Sequence, residues 1–178
     1  PKGFHEPHVA ELADGTLVGM ARYGSGEDGF MRLTFSKDGG RTWTEDEVLF
    51  PPPKGSDNVM CVSLLRLTDG RIATTYLVKL KENDCRPVFR TSSDEGRTWS
   101  EATFIIPDAQ TGYYVANNAR LIQLRHGPKK GRLLLSAAAH SGPLGNSITS
   151  WSSTPSVCED QQTDVCFLRS LTARPFVL

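Results

Sequence analysis

The sequence predicts an all-β chain built from a repeated four-stranded antiparallel unit. Two observations predict it. The octapeptide Ser36–Trp43 (SKDGGRTW) returns as Ser92–Trp99 (SSDEGRTW), both reading S-x-D-x-G-x-T-W and starting 56 residues apart. The turn Ala13-Asp14-Gly15 returns as Thr68-Asp69-Gly70, 55 residues on. Two different turns that agree on one period define a repeat, and a repeat settles the architecture before any single element is read. Four-stranded antiparallel units of this length are the blades of a β-propeller, which needs roughly 4–8 of them to close. About two and a half blades are present, at about 4–50, 57–106 and 117–145. The chain is therefore expected to be a piece of a longer protein, with a partial propeller over 1–145 and an irregular tail over 146–178.

The elements follow in order. Residues 8–23 read as a hairpin, with Val9, Leu12, Leu17, Val18 and Met20 flanking the Asp14-Gly15 turn. Phe30, Leu33 and Phe35 alternate along a third strand at 29–36, and a fourth is expected from Arg41 to Phe50. Pro51-Pro52-Pro53 cannot pair in a sheet and is a connection. The pattern restarts at Val59–Leu67, Arg71–Lys79, Pro87–Ser92 and a strand ending at Ile106. A third unit opens at Asn117, with strands at Ala119–Leu124 and Gly131–Ala139. A third octapeptide is due near residue 150, but Ser150-Trp151-Ser152 has neither the Asp nor the Gly.

Within each octapeptide the residue types suit a tight turn. The carboxylates of Asp38 and Asp94 are expected to accept backbone N–H groups two residues on. Gly40 and Gly96 supply a positive φ. The Thr-Trp pairs open the next strand, burying Trp43 and Trp99 against neighbouring strands. Ser36 and Ser92 complete a motif read as structural rather than catalytic.

Composition narrows the function classes. Lys plus Arg and Asp plus Glu both number 20, so the formal net charge is zero, which argues against a nucleic-acid surface. No apolar run approaches the roughly 20 residues of a membrane helix. Cysteines at 61, 85, 158 and 166 form no C-x-x-C pair, so no metal site is expected. Cys61 reads as a buried thiol in an apolar strand; Cys158 and Cys166 are close enough to pair in an oxidising compartment.

With the two octapeptides in place, the chain resembles the sialidase (neuraminidase) superfamily, whose repeat is the Asp box or BNR repeat. The resemblance covers about residues 3–140. It is carried further by Phe4-His5-Glu6-Pro7-His8-Val9-Ala10-Glu11-Leu12, then Asp14-Gly15 and Met20-Ala21-Arg22, which look like the blade that opens with an inner-strand Glu and ends its second strand with an Arg. The resemblance implies an exo-α-sialidase type of glycoside hydrolase acting on a glycan with a terminal acidic sugar, without a cofactor. It also implies a secreted or periplasmic full-length protein. In that chemistry arginines clamp the sugar carboxylate bidentately. A Tyr, deprotonated with help from a Glu, attacks the anomeric carbon, an exception to the two-carboxylate scheme of most glycosidases.

By similarity Glu6 matches the Glu that partners the nucleophile, Arg22 matches one clamp arginine, and Arg86 sits where another is expected. The first clamp arginine and the Asp acid would lie before Pro1. The position equivalent to Glu6 in the third unit is Asn118 rather than Tyr, with Tyr113 and Tyr114 just upstream as candidate nucleophiles. Asn118, together with His5, His8 and His140 near inner-strand ends, equally suits another glycan-active propeller, a polysaccharide lyase or exo-glycosidase. A non-catalytic Asp-box propeller that binds glycan or protein is the third reading. Glu6, Arg22, Arg86 and a residue of the 113–118 stretch are expected to converge at one mouth of the propeller axis, with the octapeptides at the periphery.

Overall fold

Short alternating segments separated by Asp-Gly turns become strands because each turn satisfies its own backbone. At the first turn Leu12 N–H donates to Thr16 O, Gly15 N–H donates to Leu12 O, and the Asp14 carboxylate accepts the Thr16 N–H at 2.9 Å. Leu67, Gly70, Asp69 and Arg71 repeat the same bonds. Gly15 and Gly70 stand at φ 82° and 90°, where a Cβ is disfavoured. The computed structural model describes residues 3–24, 29–140 and 165–169, the last stretch by its backbone alone.

The described residues are all-β apart from one short 3-10 turn at Asp108–Gln110. Strands β1 (Phe4–Glu11), β2 (Leu17–Tyr23), β3 (Phe30–Ser36) and β4 (Glu47–Phe50) form one antiparallel sheet in that order. Strands β5 (Asn58–Arg66), β6 (Ile72–Lys81), β7 (Asp84–Ser92) and β8 (Thr103–Phe104) repeat the order. Beyond them lie β9 (Tyr113–Val115), β10 (Leu121–Gln123), β11 (Leu133–His140) and β12 (Val165–Arg169). Strand β10 pairs with β11, and β9 bridges β7 to β11. Within the stretch expected to be an irregular tail, β12 runs parallel to β11. The site of the missing third octapeptide and Cys158 lie outside the described residues.

Three local expectations are corrected. The Asp carboxylates reach three and four residues on, not two: Asp38 Oδ1 accepts from Arg41 N and Thr42 N, and Oδ2 from the Thr42 hydroxyl at 2.6 Å. Asp94 holds Thr98 the same way, and Ser36 and Ser92 accept the N–H of Gly40 and Gly96. This capture keeps Thr-Trp in the turn, so β4 and β8 start later than the sequence suggested. The indole N–H groups of Trp43 and Trp99 likewise turn back to Gly40 O and Gly96 O. Last, Trp43 is 40% exposed rather than buried, lying over Gly19, whereas Trp99 packs edge-on against Phe50 at 5.7 Å. The difference lies in the neighbour, since Trp99 has the first unit beside it.

The first and second units stack face to face. Val18, Met20, Met31, Leu33 and Phe50 of the first meet Ile72, Tyr76, Val78 and Val88 of the second in one buried cluster. A second cluster joins Ala73, Leu77, Cys85 and Ile106 to Tyr114, Leu121, Leu133 and Leu135. Polar bonds repeat across both seams. His8 Nδ1 accepts the Leu64 N–H at 2.7 Å, and Ser63 Oγ accepts the Arg120 N–H at 2.9 Å. The turn N–H of Ala13 donates to Glu95, which Arg66 grips through both oxygens; the matching N–H of Thr68 donates to Gln123. The inner strands β1, β5 and β10 therefore lie side by side, with their starts at one end.

Candidate functional site

At those starts the backbone departs from a regular strand. The register shifts between His5 and His8 in β1 and between Met60 and Ser63 in β5. Within the shifts Glu6 and Cys61 adopt φ 55° and 59°, left-handed values that cost a residue with a Cβ. The third unit places its left-handed residue at Ala119, φ 57°, one beyond Asn118. Strain of this kind clusters at functional sites, where the surroundings enforce it.

The bulge turns Glu6 toward the next unit. Its Oε2 accepts the Cys61 N–H at 2.8 Å and lies 3.3 Å from Arg22 Nε. Arg22 stands opposite His5 in the β1–β2 ladder and donates through Nη1 to Gly24 O at 3.1 Å. Its Nε is buried and not aligned for a hydrogen bond, so one charged donor is held ready without a full partner. Asn118 Nδ2 approaches Pro7 O at 3.4 Å, which brings the third unit to the same end. The Cys61 thiol is pushed up to about 12, chiefly by burial and then by the Glu6 carboxylate beside it. It stays a neutral thiol at ordinary pH.

The two tyrosines part company on β9. Tyr114 is buried in the second core and donates its hydroxyl to Gln110 O at 2.9 Å, so it serves the fold. Tyr113 is half-buried and pairs with Cys85 across the β7–β9 bridge. Its phenol is raised, first by burial and then by Cys85, while Lys79 acts against both; Cys61 and Asp57 add smaller upward pushes. Cys61 bonds to Glu6 through its N–H and packs against the same core cluster as Tyr113.

Arg86 reaches the same end of its unit, and its place in β7 sets it on the face that meets the first unit, in step with Val88. It shares no partner with Arg22. The guanidinium is 4% exposed and pairs with Asp84 at 2.8 Å and Asp108 at 2.7 Å, donates to Ile106 O, and stacks on Phe104 at 4.6 Å. Glu6 thus accompanies Arg22, and two aspartates accompany Arg86. His8 is committed to Leu64 N–H and held neutral by burial, which lowers its pKa; His5 is exposed. The octapeptides lie at the opposite ends of β3 and β7 from this group.

Sequence reasoning missed two participants. Cys61 contributes a main-chain N–H, invisible in residue type; only its 55-residue offset from Glu6 hinted at it. The Lys79–Asp57 pair, 2.7 Å apart, depends on strand register and had no local signal.

No family model matches the sequence, and no curated protein matches it. Solved structures do. The chain is similar to the Hadza microbial sialidase Hz136, with TM-score 0.59 and 18% identity over 78% of this chain and 33% of that one. It is similar to the leech intramolecular trans-sialidase, with TM-score 0.61 and 15% identity over 78% and 40%. It is similar to the GH93 α-L-arabinofuranosidase of Fusarium graminearum, with TM-score 0.57 and 16% identity over 83% and 44%. The chain spans less than half the length of each of these structures. At such identities the likeness shows the fold. The chain has a sialidase-like, propeller-type all-β fold. No described helix is long and apolar enough to cross a membrane.

Proposed function

We propose that this chain is part of a sialidase-type glycoside hydrolase acting on a terminal acidic sugar. The observation that carries the reading is the strained Glu6, whose carboxylate is pinned between Arg22 and the Cys61 N–H at the shared end of the inner strands. Arg22, with a buried and poorly partnered Nε, receives the sugar carboxylate. Arg86 joins it when the substrate acid displaces Asp108, whose side chain is 92% exposed and so the easier of its two partners to release.

Tyr113, half-buried and paired with Cys85 at this end of β7, is the nucleophile in this reading, while Tyr114 serves the fold through its bond to Gln110. Its proton passes to Glu6 as its oxygen bonds to the anomeric carbon and the bond to the aglycone oxygen breaks. Water then releases the sugar and restores the phenol. The acid that protonates the aglycone is assigned to none of the described residues. Asn118 lines the same end and would bond a substrate hydroxyl through its amide.

One observation favours a second reading. Each guanidinium of the group already carries carboxylate partners, so the site is near charge balance, which suits a neutral sugar and an exo-glycosidase of another specificity. The deciding experiment offers the full-length protein an aryl α-sialoside and an aryl α-L-arabinofuranoside. Hydrolysis of the first, lost in Arg22→Ala, supports the acidic-sugar reading. Hydrolysis of the second alone supports the neutral one. Turnover of neither, with glycan binding retained, leaves a binding propeller as the function.

A further inference from the structure

One row of paired residues at the same end of the second unit carries unused chemistry. Asn58 pairs with Lys79, Lys79 with Cys85, and Cys85 with Tyr113. Residues paired across a sheet project from one face. An amide, an ammonium, a thiol and a phenol therefore stand side by side. Lys79 Nζ lies 2.7 Å from Asp57 Oδ2, and the Asp57 N–H donates to Lys79 O at 2.7 Å, so the two residues are tied twice. An ammonium has three donors, and Asp57 takes one. Lys79 keeps about a quarter of its side chain in solvent, while Cys85 beside it is fully buried.

We propose that Lys79 is a positioning residue for Tyr113 whose ammonium stabilises the negative charge that develops on the phenol oxygen during attack. The inference deepens the proposed reaction and rests on it. Glu6 can take a proton but, being anionic, it cannot favour a negative oxygen nearby. A cation does, and in the proposed reaction Arg22 is taken up by the sugar carboxylate. The groups that act on the Tyr113 phenol include Lys79 from β6, Cys85 from β7, Cys61 from β5 and Asp57 from the connection before β5, and His140 of β11 stands opposite Tyr113 in the β9–β11 ladder. Both thiols are pushed up to about 12 and stay neutral near neutral pH; of the charged groups named, Lys79 favours the phenolate and Asp57 opposes it.

The test is a spectrophotometric titration of tyrosinate, with Tyr113 isolated by difference against Tyr113→Phe. Lys79→Met is expected to move its midpoint up by on the order of one unit, and Lys79→Arg to keep it near its original value. Asp57→Asn is expected to move it down. Opposite directions from two neighbours cannot come from general loosening of the fold. An unmoved midpoint in Lys79→Met, or shifts of one sign in both variants, overturns the proposal. Where Lys79→Met melts early, Lys79→Gln and Asp57→Asn are read by the same criterion. If no aryl glycoside is hydrolysed the proposed reaction fails, while the titration still decides the role of Lys79. If hydrolysis occurs, Lys79→Met should lower kcat with little change in KM, as expected for an interaction made in the transition state.

Discussion

The carboxylate of Glu6 accepts the main-chain N–H of Cys61 at 2.8 Å, across the seam between two repeat units and between two left-handed residues. The bond couples the shape of the inner strands to the orientation of the carboxylate beside Arg22. Glu6→Gln keeps the acceptor for Cys61 but loses the charge opposite Arg22 and the capacity to take a proton. With an aryl sialoside the full-length Glu6→Gln protein is expected to lose about 10²-fold or more in kcat, in the range of general acid–base groups. Its melting temperature should change little. A full loss of folding would instead assign Glu6 to architecture.

Arg22→Lys tests the clamp. An ammonium cannot hold a carboxylate bidentately, so kcat/KM for an acidic sugar should fall by about tenfold or more. The same variant should leave turnover of a neutral aryl glycoside within about twofold if that is the true substrate.

The two tryptophans of the octapeptides should differ in stability effect. Trp99 packs on Phe50 beside the main core, and Trp99→Ala is expected to cost about 3 kcal/mol in a denaturant melt. Trp43 is 40% exposed, and Trp43→Ala should cost about 1 kcal/mol. Equal costs would show that the turn bond to Gly40 or Gly96, common to both, is what matters.

Acid should weaken the fold in a defined window. Asp38 and Asp94 are held down to about 2 by the hydroxyl and N–H of Thr42 and Thr98, and Glu95 to about 2 by Arg66 and the Ala13 N–H. Each folded-state value lies below the ordinary one. Their contribution is therefore fully present above about pH 4.5 and is lost as pH falls toward 2. Denaturant midpoints measured between pH 5 and 2 should decline across that range, and less steeply in Asp94→Asn. A flat profile would contradict the turn bonds.

Thiol labelling checks the buried cysteines. With Cys158 and Cys166 replaced by Ser, the native protein should resist an aromatic disulfide reagent at pH 8, because Cys61 and Cys85 are each pushed up to about 12. Unfolding should release both. In Glu6→Gln, Cys61 should react faster than in the parent, since the carboxylate that disfavours its thiolate is gone.

The repeat was legible without coordinates. Its signals are local: an Asp and a Gly held close in sequence dictate a turn, and alternation with period two dictates a half-buried strand on either side. The hairpins around Gly15 and Gly70 and the turns around Asp38 and Asp94 followed from those short-range rules, whereas Glu6 and Arg22 were singled out by the family resemblance. Other features depended on which strand lies beside which. A β-bulge adds one residue without a compositional mark, so the left-handed turn of Glu6 toward Cys61, and the one-residue offset from Asn118 to Ala119, arise only when neighbouring inner strands are packed. The same holds for Arg86, whose carboxylate partners Asp84 and Asp108 are 2 and 22 residues away, and for Lys79, which meets Tyr113 through Cys85 in a row of three strands. Side-chain type and spacing determined the scaffold because turns and strands are satisfied within a few residues. The charge environment of the site was decided by register between strands far apart in the chain, because burial and ion pairing depend on tertiary neighbours.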